Sequence, residues 1–81
     1  MCSSNVRTCD LYLTSALLTL GAEIQSSIRD KKSGRIYFEL YSDILDLTKL
    51  RIDYFGGSLM VSALKFTDQV KNLKSLCHNL L

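Results

Sequence analysis

Cys2, Cys9, Cys77 and His78 are the residues of this chain whose types could do chemistry together. They would supply the four sulfur and nitrogen ligands of a zinc site. Structural zinc sites draw their ligands from close pairs such as C-x2-4-C. Cys2 and Cys9 are seven positions apart and the other two are distant in sequence. Adjacent residues on a helix also point about 100° apart, following the 3.6-residue turn. The plainer reading puts Cys77 in an apolar stripe and His78 in solvent, so no metal is expected. Cys9 stands near a helix start, where the dipole favours a thiolate. A nucleophile also needs a base and an oxyanion site, and the single His is at the far end of the sequence. Gly56-Gly57 lacks the G-x-x-x-x-G-K context of a phosphate loop and reads as a helix stop. The sequence therefore specifies no reaction and no cofactor. A binding protein, not an enzyme, is expected.

Two groups of residues could form binding surfaces. Arg29, Lys31, Lys32 and Arg35 surround a turn, while Lys71, Lys74 and His78 fall at i, i+3 and i+7. If the turn and this ridge lie together they could follow a phosphate backbone, with Tyr37 or Tyr41 as a stacking platform. The net charge of only +2 is mild for such a role, and charge clusters of this kind are commonly solvated surface. The second group is Tyr37, Tyr41, Leu59, Met60 and Val61, with Tyr54 and Phe55 nearby. Tyr is enriched at protein-interface hot spots. The same aromatic residues could equally close the core.

The elements that must position these residues are legible in the spacing. Thr8 can cap a helix over residues 9–20, with Asp10 at its positive end and Leu13, Leu17 and Leu20 on one stripe. Gly21 suits its left-handed end. Residues 24–29 and 36–41 alternate in period two around Asp30-Lys31-Lys32-Ser33-Gly34, which predicts a β-hairpin. Ser42 can cap a second helix carrying Ile44, Leu47, Leu50 and Tyr54, stopped by Gly56-Gly57. Leu59-Met60-Val61 is expected to add a third strand at an edge of the hairpin. Ser62 can cap a last helix, in which Phe66, Val70, Leu73, Cys77 and Leu80 keep a helical stripe. The expected order is α-β-β-α-β-α: a single two-layer α+β domain, with helices on one face of a small, mostly antiparallel three-stranded sheet. Residues 1–7 show no periodic pattern and are expected to be a flexible N-terminus before a domain over residues 8–81.

With this order of segments in place, the stretch T-C-D-L-Y-L-T-S-A-L-L-T-L-G resembles the opening of a small family of phage and bacterial domains of unknown function. R-I-Y-F-E-L-Y resembles that family's aromatic second strand, and F-T-D-Q-V-K-N-L-K-S-L its closing helix. The likeness covers about residues 7–76. Asp53-Tyr54-Phe55 only loosely matches the aromatic, acidic end of the second helix. The resemblance implies a phage or mobile-element setting and no catalytic residue.

The composition bounds the rest. A chain of 81 residues is one domain and buries only about 60% of its unfolded surface. The 47% hydrophobic content offsets part of that marginality, and a second copy or a partner would offset more. Three cysteines are not the even set of a secreted disulfide framework. With no signal-peptide pattern and no spanning apolar run, a cytoplasmic, non-membrane protein is expected. The expected role is a protein-protein contact, as a homodimer or with another chain; the alternative is nucleic-acid binding through Arg29, Lys31, Lys32, Arg35, Lys71 and Lys74.

Overall fold

A computed structural model describes residues 3–80, with the side chain of Leu80 excepted. Six elements follow in the order β1 (Ser4–Thr8), α1 (Leu11–Thr19), β2 (Glu23–Arg29), β3 (Ile36–Ser42), α2 (Leu47–Phe55) and α3 (Ala63–Leu80). The expected α+β class, three antiparallel strands and helices on one face are all present. The order is β-α-β-β-α-α and not α-β-β-α-β-α, and two expectations are corrected.

The first correction is the third strand. Leu59-Met60-Val61 is not a strand; it is the irregular link between α2 and α3. Both helices belong to the layer that packs over the sheet, so the link runs within that layer and meets no strand edge. The third strand is Ser4–Thr8, which pairs antiparallel with β3 and makes β3 the centre of a β1-β3-β2 sheet. Only Ser4, Val6 and Thr8 of β1 face inward. Two of those three are polar, which hides the alternation. Residues 1 and 2 lie outside the described residues.

β1 is held by a side chain as well as by its ladder. The Ser4 hydroxyl donates to the Leu45 carbonyl at 2.6 Å and accepts from the Leu47 N–H at 3.0 Å. One hydroxyl thus ties the N-terminal strand to the start of α2, more than 40 positions away along the chain. Replacing Ser4→Ala leaves a carbonyl and an N–H without this partner, at a cost of about 1–3 kcal/mol. A urea-unfolding midpoint lower by that equivalent is expected, and an unchanged midpoint would count against this tie.

The helix starts are the second correction. Asp10, not Thr8, caps α1, its carboxylate accepting from the Tyr12 and Leu13 N–H groups at 2.9 and 3.0 Å. Thr8 closes β1 and its hydroxyl accepts from the Asp10 N–H. Asp46, not Ser42, caps α2 by accepting from the Lys49 N–H at 3.1 Å. Ser42 does accept from the Ile44 and Leu45 N–H groups, but only to turn the chain out of β3. Ile44 is therefore left exposed in that turn and not on the α2 stripe. Ser62 precedes α3 as expected: the Phe66 N–H donates to its carbonyl at 2.9 Å. Gly21 and Gly57 both adopt positive φ, 116° and 79°, where a side chain would be strained.

The core lies between the sheet and the helices. Val6, Phe38 and Leu40 from the strands meet Leu13 and Leu17 of α1, Leu47 of α2 and Leu73 of α3. Thr14 and Ser15 are buried in α1 but satisfied, because their hydroxyls donate back to the Asp10 and Leu11 carbonyls. The α3 stripe falls inward at Phe66, Val70, Leu73 and Cys77, and Lys65, Asp68, Lys71, Asn72 and Ser75 face solvent.

β2 hides a detail that its sequence does not display. Ile24 pairs with Leu40 on the core side, but Ser26 then pairs with Glu39, so the register shifts by a bulge between them. Past the bulge Ile28 lies opposite Tyr37 and is exposed. The simple Ile24-Ser26-Ile28 alternation would have kept both isoleucines on one face.

Candidate functional site

Three surfaces take up the residues expected to bind something, and each is set by a different part of the fold.

The first is the α2–α3 connection. α2 buries Leu47 and half-buries Leu50 and Tyr54, which turns Ile52 and Phe55 outward. After Gly56-Gly57 the link leaves Met60 outside, and the first turn of α3 exposes Leu64. Ile52, Phe55, Met60 and Leu64 are 66%, 64%, 88% and 75% exposed. Leu59 and Val61, the other two expected interface residues of this segment, are half-buried and anchor the link. The ring of Tyr54 meets Phe55 edge-on, with centroids 5.2 Å apart, which orients the exposed Phe55 ring. Burial pushes the Tyr54 hydroxyl up, with a smaller contribution from the Asp10 carboxylate. Ile52 falls off the stripe of Leu47, Leu50 and Tyr54, which is the signal the sequence offers for this surface; Leu64 offers none.

The second is the open face of the sheet. Tyr37 and Tyr41 alternate with the buried Phe38 and Leu40 along β3, so both stand on the face away from the helices, half-buried between their neighbours. This separates them from Met60, and the expected five-residue interface is divided between two surfaces. The Arg7 guanidinium lies 5.2 Å from the centroid of the Tyr37 ring, a cation–π contact. Arg7 was not anticipated, because β1 itself was not. Arg7, Tyr37, Arg29, Lys31 and Lys32 line one hollow of about 620 Å³ at the hairpin end of this face. Asp30 sits there too, but its carboxylate is turned into the hairpin tip. It accepts from the Lys32 N–H at 3.1 Å and the Ser33 hydroxyl at 2.8 Å. The Lys32 backbone N–H first, and then the Ser33 hydroxyl, hold that carboxyl below the usual carboxylate range. Further along the face Glu39 lies opposite Arg7 in register, and Glu23 opposite Tyr41. Acids therefore interrupt any continuous basic track from Tyr37 to Tyr41.

The third is a cleft between the turn end of the hairpin, on its helix-facing side, and the C-terminal half of α3. It measures about 490 Å³. Arg35 from the hairpin and Lys74 and His78 from α3 line it together, so the ridge and the turn do meet, at one end only. Lys71 lines neither this cleft nor the Tyr37 hollow. The expected basic surface is thus two patches: Arg29, Lys31 and Lys32 on the open face, and Arg35 with Lys74 at the cleft.

Cys9, Cys77 and His78 all line this cleft as well. Among the described residues no three His, Cys, Asp or Glu side chains are placed to hold a metal ion. Cys2 lies outside the described residues. Cys77 and Cys9 are free thiols. Burial pushes the Cys77 thiol up, which keeps it neutral and makes it an apolar wall of the cleft.

Among the described residues no helix is long and apolar enough to cross a membrane. Fold and surfaces together define a small two-layer α+β domain with an exposed apolar helix–helix turn. The chain matches no family model, no curated protein and no solved structure.

Proposed function

We propose that this protein is a non-catalytic interaction module that works through protein-protein contact, and that it pairs as a two-fold homodimer. The observation that carries this reading is the α2–α3 connection. Four large apolar side chains, each about two-thirds exposed or more, fall within 13 residues of one helix–turn–helix segment. Single exposed apolar residues are ordinary, whereas four this close along the chain support an interaction surface. Two supports come from elsewhere. The small size of the chain makes burial in a second copy valuable, and two-fold pairing is the commonest way to achieve it. The β2 edge of the sheet is a poorer candidate. β2 is bulged and flanked by Glu23 and Arg29, devices that blunt edge pairing. The test is sedimentation velocity across a range of protein concentrations. A dimer that dissociates on dilution is expected. A monomer at every concentration, together with no captured partner, would sink the reading.

A second reading rests on the Arg7–Tyr37 pair. A guanidinium and an aromatic ring beside Arg29, Lys31 and Lys32 make a platform on which an unstacked base could sit with its phosphate on the lysines. On this reading the protein binds single-stranded nucleic acid at the hairpin tip. Fluorescence polarisation with random oligonucleotides across a salt series is the check. The expected result is saturable binding that weakens steeply with salt and is lost on K31E/K32E. Binding unaffected by that charge reversal rejects the platform.

A further inference from the structure

The cleft between the hairpin turn and α3 belongs to neither of those readings, and none of its lining residues lies in the α2–α3 connection. It exists because the helix layer stops short. Phe38 and Leu40 of β3 are fully buried, but Ile36, two residues before Phe38 on the same inward face, is only half-buried. α1 starts at Leu11, which is half-buried, and α3 reaches the gap with Cys77. The core is therefore open at this end. Its walls are the apolar side chains Leu11, Ile36, Phe38 and Cys77.

The charged side chains that line these walls, Arg35 and Lys74, are of one sign. Arg35 and Lys74 line the cleft from opposite sides, hairpin and helix, with the His78 imidazole beside them. No Asp or Glu lines it. Of the two acids nearest Arg35 in sequence, Glu39 lies opposite Arg7 on the open face. The other, Asp30, lines the hollow there, its carboxylate held first by the Lys32 N–H and the Ser33 hydroxyl and only last by the charge of Arg35. An apolar interior with two cations on its lining complements a ligand with an apolar body and one anionic end. The volume lies within the usual range for small-molecule sites, about 300–1,000 Å³.

We propose that this cleft binds a single-chain anionic amphiphile, a medium-chain fatty acid in chemical class. Its carboxylate sits between Arg35 and Lys74, and its alkyl chain lies on Leu11, Ile36, Phe38 and Cys77. Both cations are exposed and outside the core, so they can be changed without unfolding the protein.

The experiment uses the full chain, titrated with decanoate below its micellar concentration and followed by amide and methyl NMR shifts. Decyl maltoside, with the same tail and a neutral head, and inorganic phosphate, with a charge and no tail, are the comparators. Decanoate is expected to shift Leu11, Ile36, Phe38 and Cys77 together, and decyl maltoside to bind these residues far more weakly. R35E/K74E is expected to lower decanoate affinity by at least roughly tenfold, the least expected for losing a hydrogen bond to a charged group. Circular dichroism checks that the variant stays folded, and L11E, which puts a charge on the apolar wall, gives a second route to the same loss. The proposal is overturned if decanoate leaves these residues unmoved or shifts the Met60 region instead. Equal binding of the neutral-headed analogue, equal binding by R35E/K74E, or the same shifts from phosphate alone would overturn it too.

Discussion

Replacing Phe55 and Met60 together by Glu is expected to abolish self-association while leaving the monomer folded. Both side chains are mostly in solvent in the single chain, so the substitutions break no core packing. Surface changes of this sort usually alter stability by no more than about 0.5 kcal/mol. In a dimer the same positions would be buried. Truncating one hot-spot side chain costs about 2 kcal/mol or more, roughly a 30-fold loss of affinity. A carboxylate left unpaired in an apolar contact costs more than truncation. Two such charges, doubled by the two-fold axis, are therefore expected to turn a measurable dimer into a monomer at every accessible concentration. Sedimentation equilibrium on the wild type and the double variant reads this directly. As a control, charge reversal at Lys31 and Lys32 touches another surface and should leave the dimer intact. A double variant that still associates as the wild type does would move the interface away from the α2–α3 connection.

The second large effect is at the centre of the sheet. Phe38 is the largest fully buried side chain and belongs to the core cluster with Leu13 and Leu17 of α1, Leu47 of α2 and Leu73 of α3. Phe38→Ala removes a ring the surroundings cannot replace, at a cost of about 3–5 kcal/mol. A domain of this length holds roughly 4–12 kcal/mol in total, at 0.05–0.15 kcal/mol per residue. The loss is a large share of that, and the variant is expected to be partly or wholly unfolded at ambient temperature. Tyr37→Ala, one position earlier on the same strand, acts on the opposite face. There it removes only the Arg7 contact and half-buried area, so a much smaller loss is expected. Urea unfolding followed by circular dichroism compares the two. Equal losses at positions 37 and 38 would mean that the sheet has no open face, and the Tyr37 platform would fall with it.

Much of this protein was determined by its sequence alone. The period-two run through Ile36, Phe38 and Leu40 identifies β3 and its buried face, because alternation on a strand is a purely local consequence of backbone geometry. The same holds for the α3 stripe from Phe66 to Cys77, for Gly21 at positive φ, for the helix stop at Gly56-Gly57 and for the polar hairpin turn. The two-layer α+β class followed from those elements, since each has one apolar face to bury.

The rest was decided by tertiary structure. β1 has only one strongly apolar inward residue, Val6; what makes it a strand is the free edge of β3 and the Ser4 tie to Leu45 and Leu47. Leu59-Met60-Val61 has the composition of a strand, yet it spans two helices of the same layer and so has no ladder to join. The caps at Asp10 and Asp46 prevailed over Thr8 and Ser42 because those residues were already engaged at strand ends. The bulge in β2 turned Ile28 outward through pairing with β3, a partner beyond the hairpin turn. Binding residues were divided on the same principle. Residue type named the cations and tyrosines, but only the packing of α3 against α1 brought Arg35 and Lys74 to one cleft and left Arg7 beside Tyr37 on the far side of the sheet. Local periodicity fixes which face of an element is apolar; which partner covers that face is set by contacts between residues far apart in the chain.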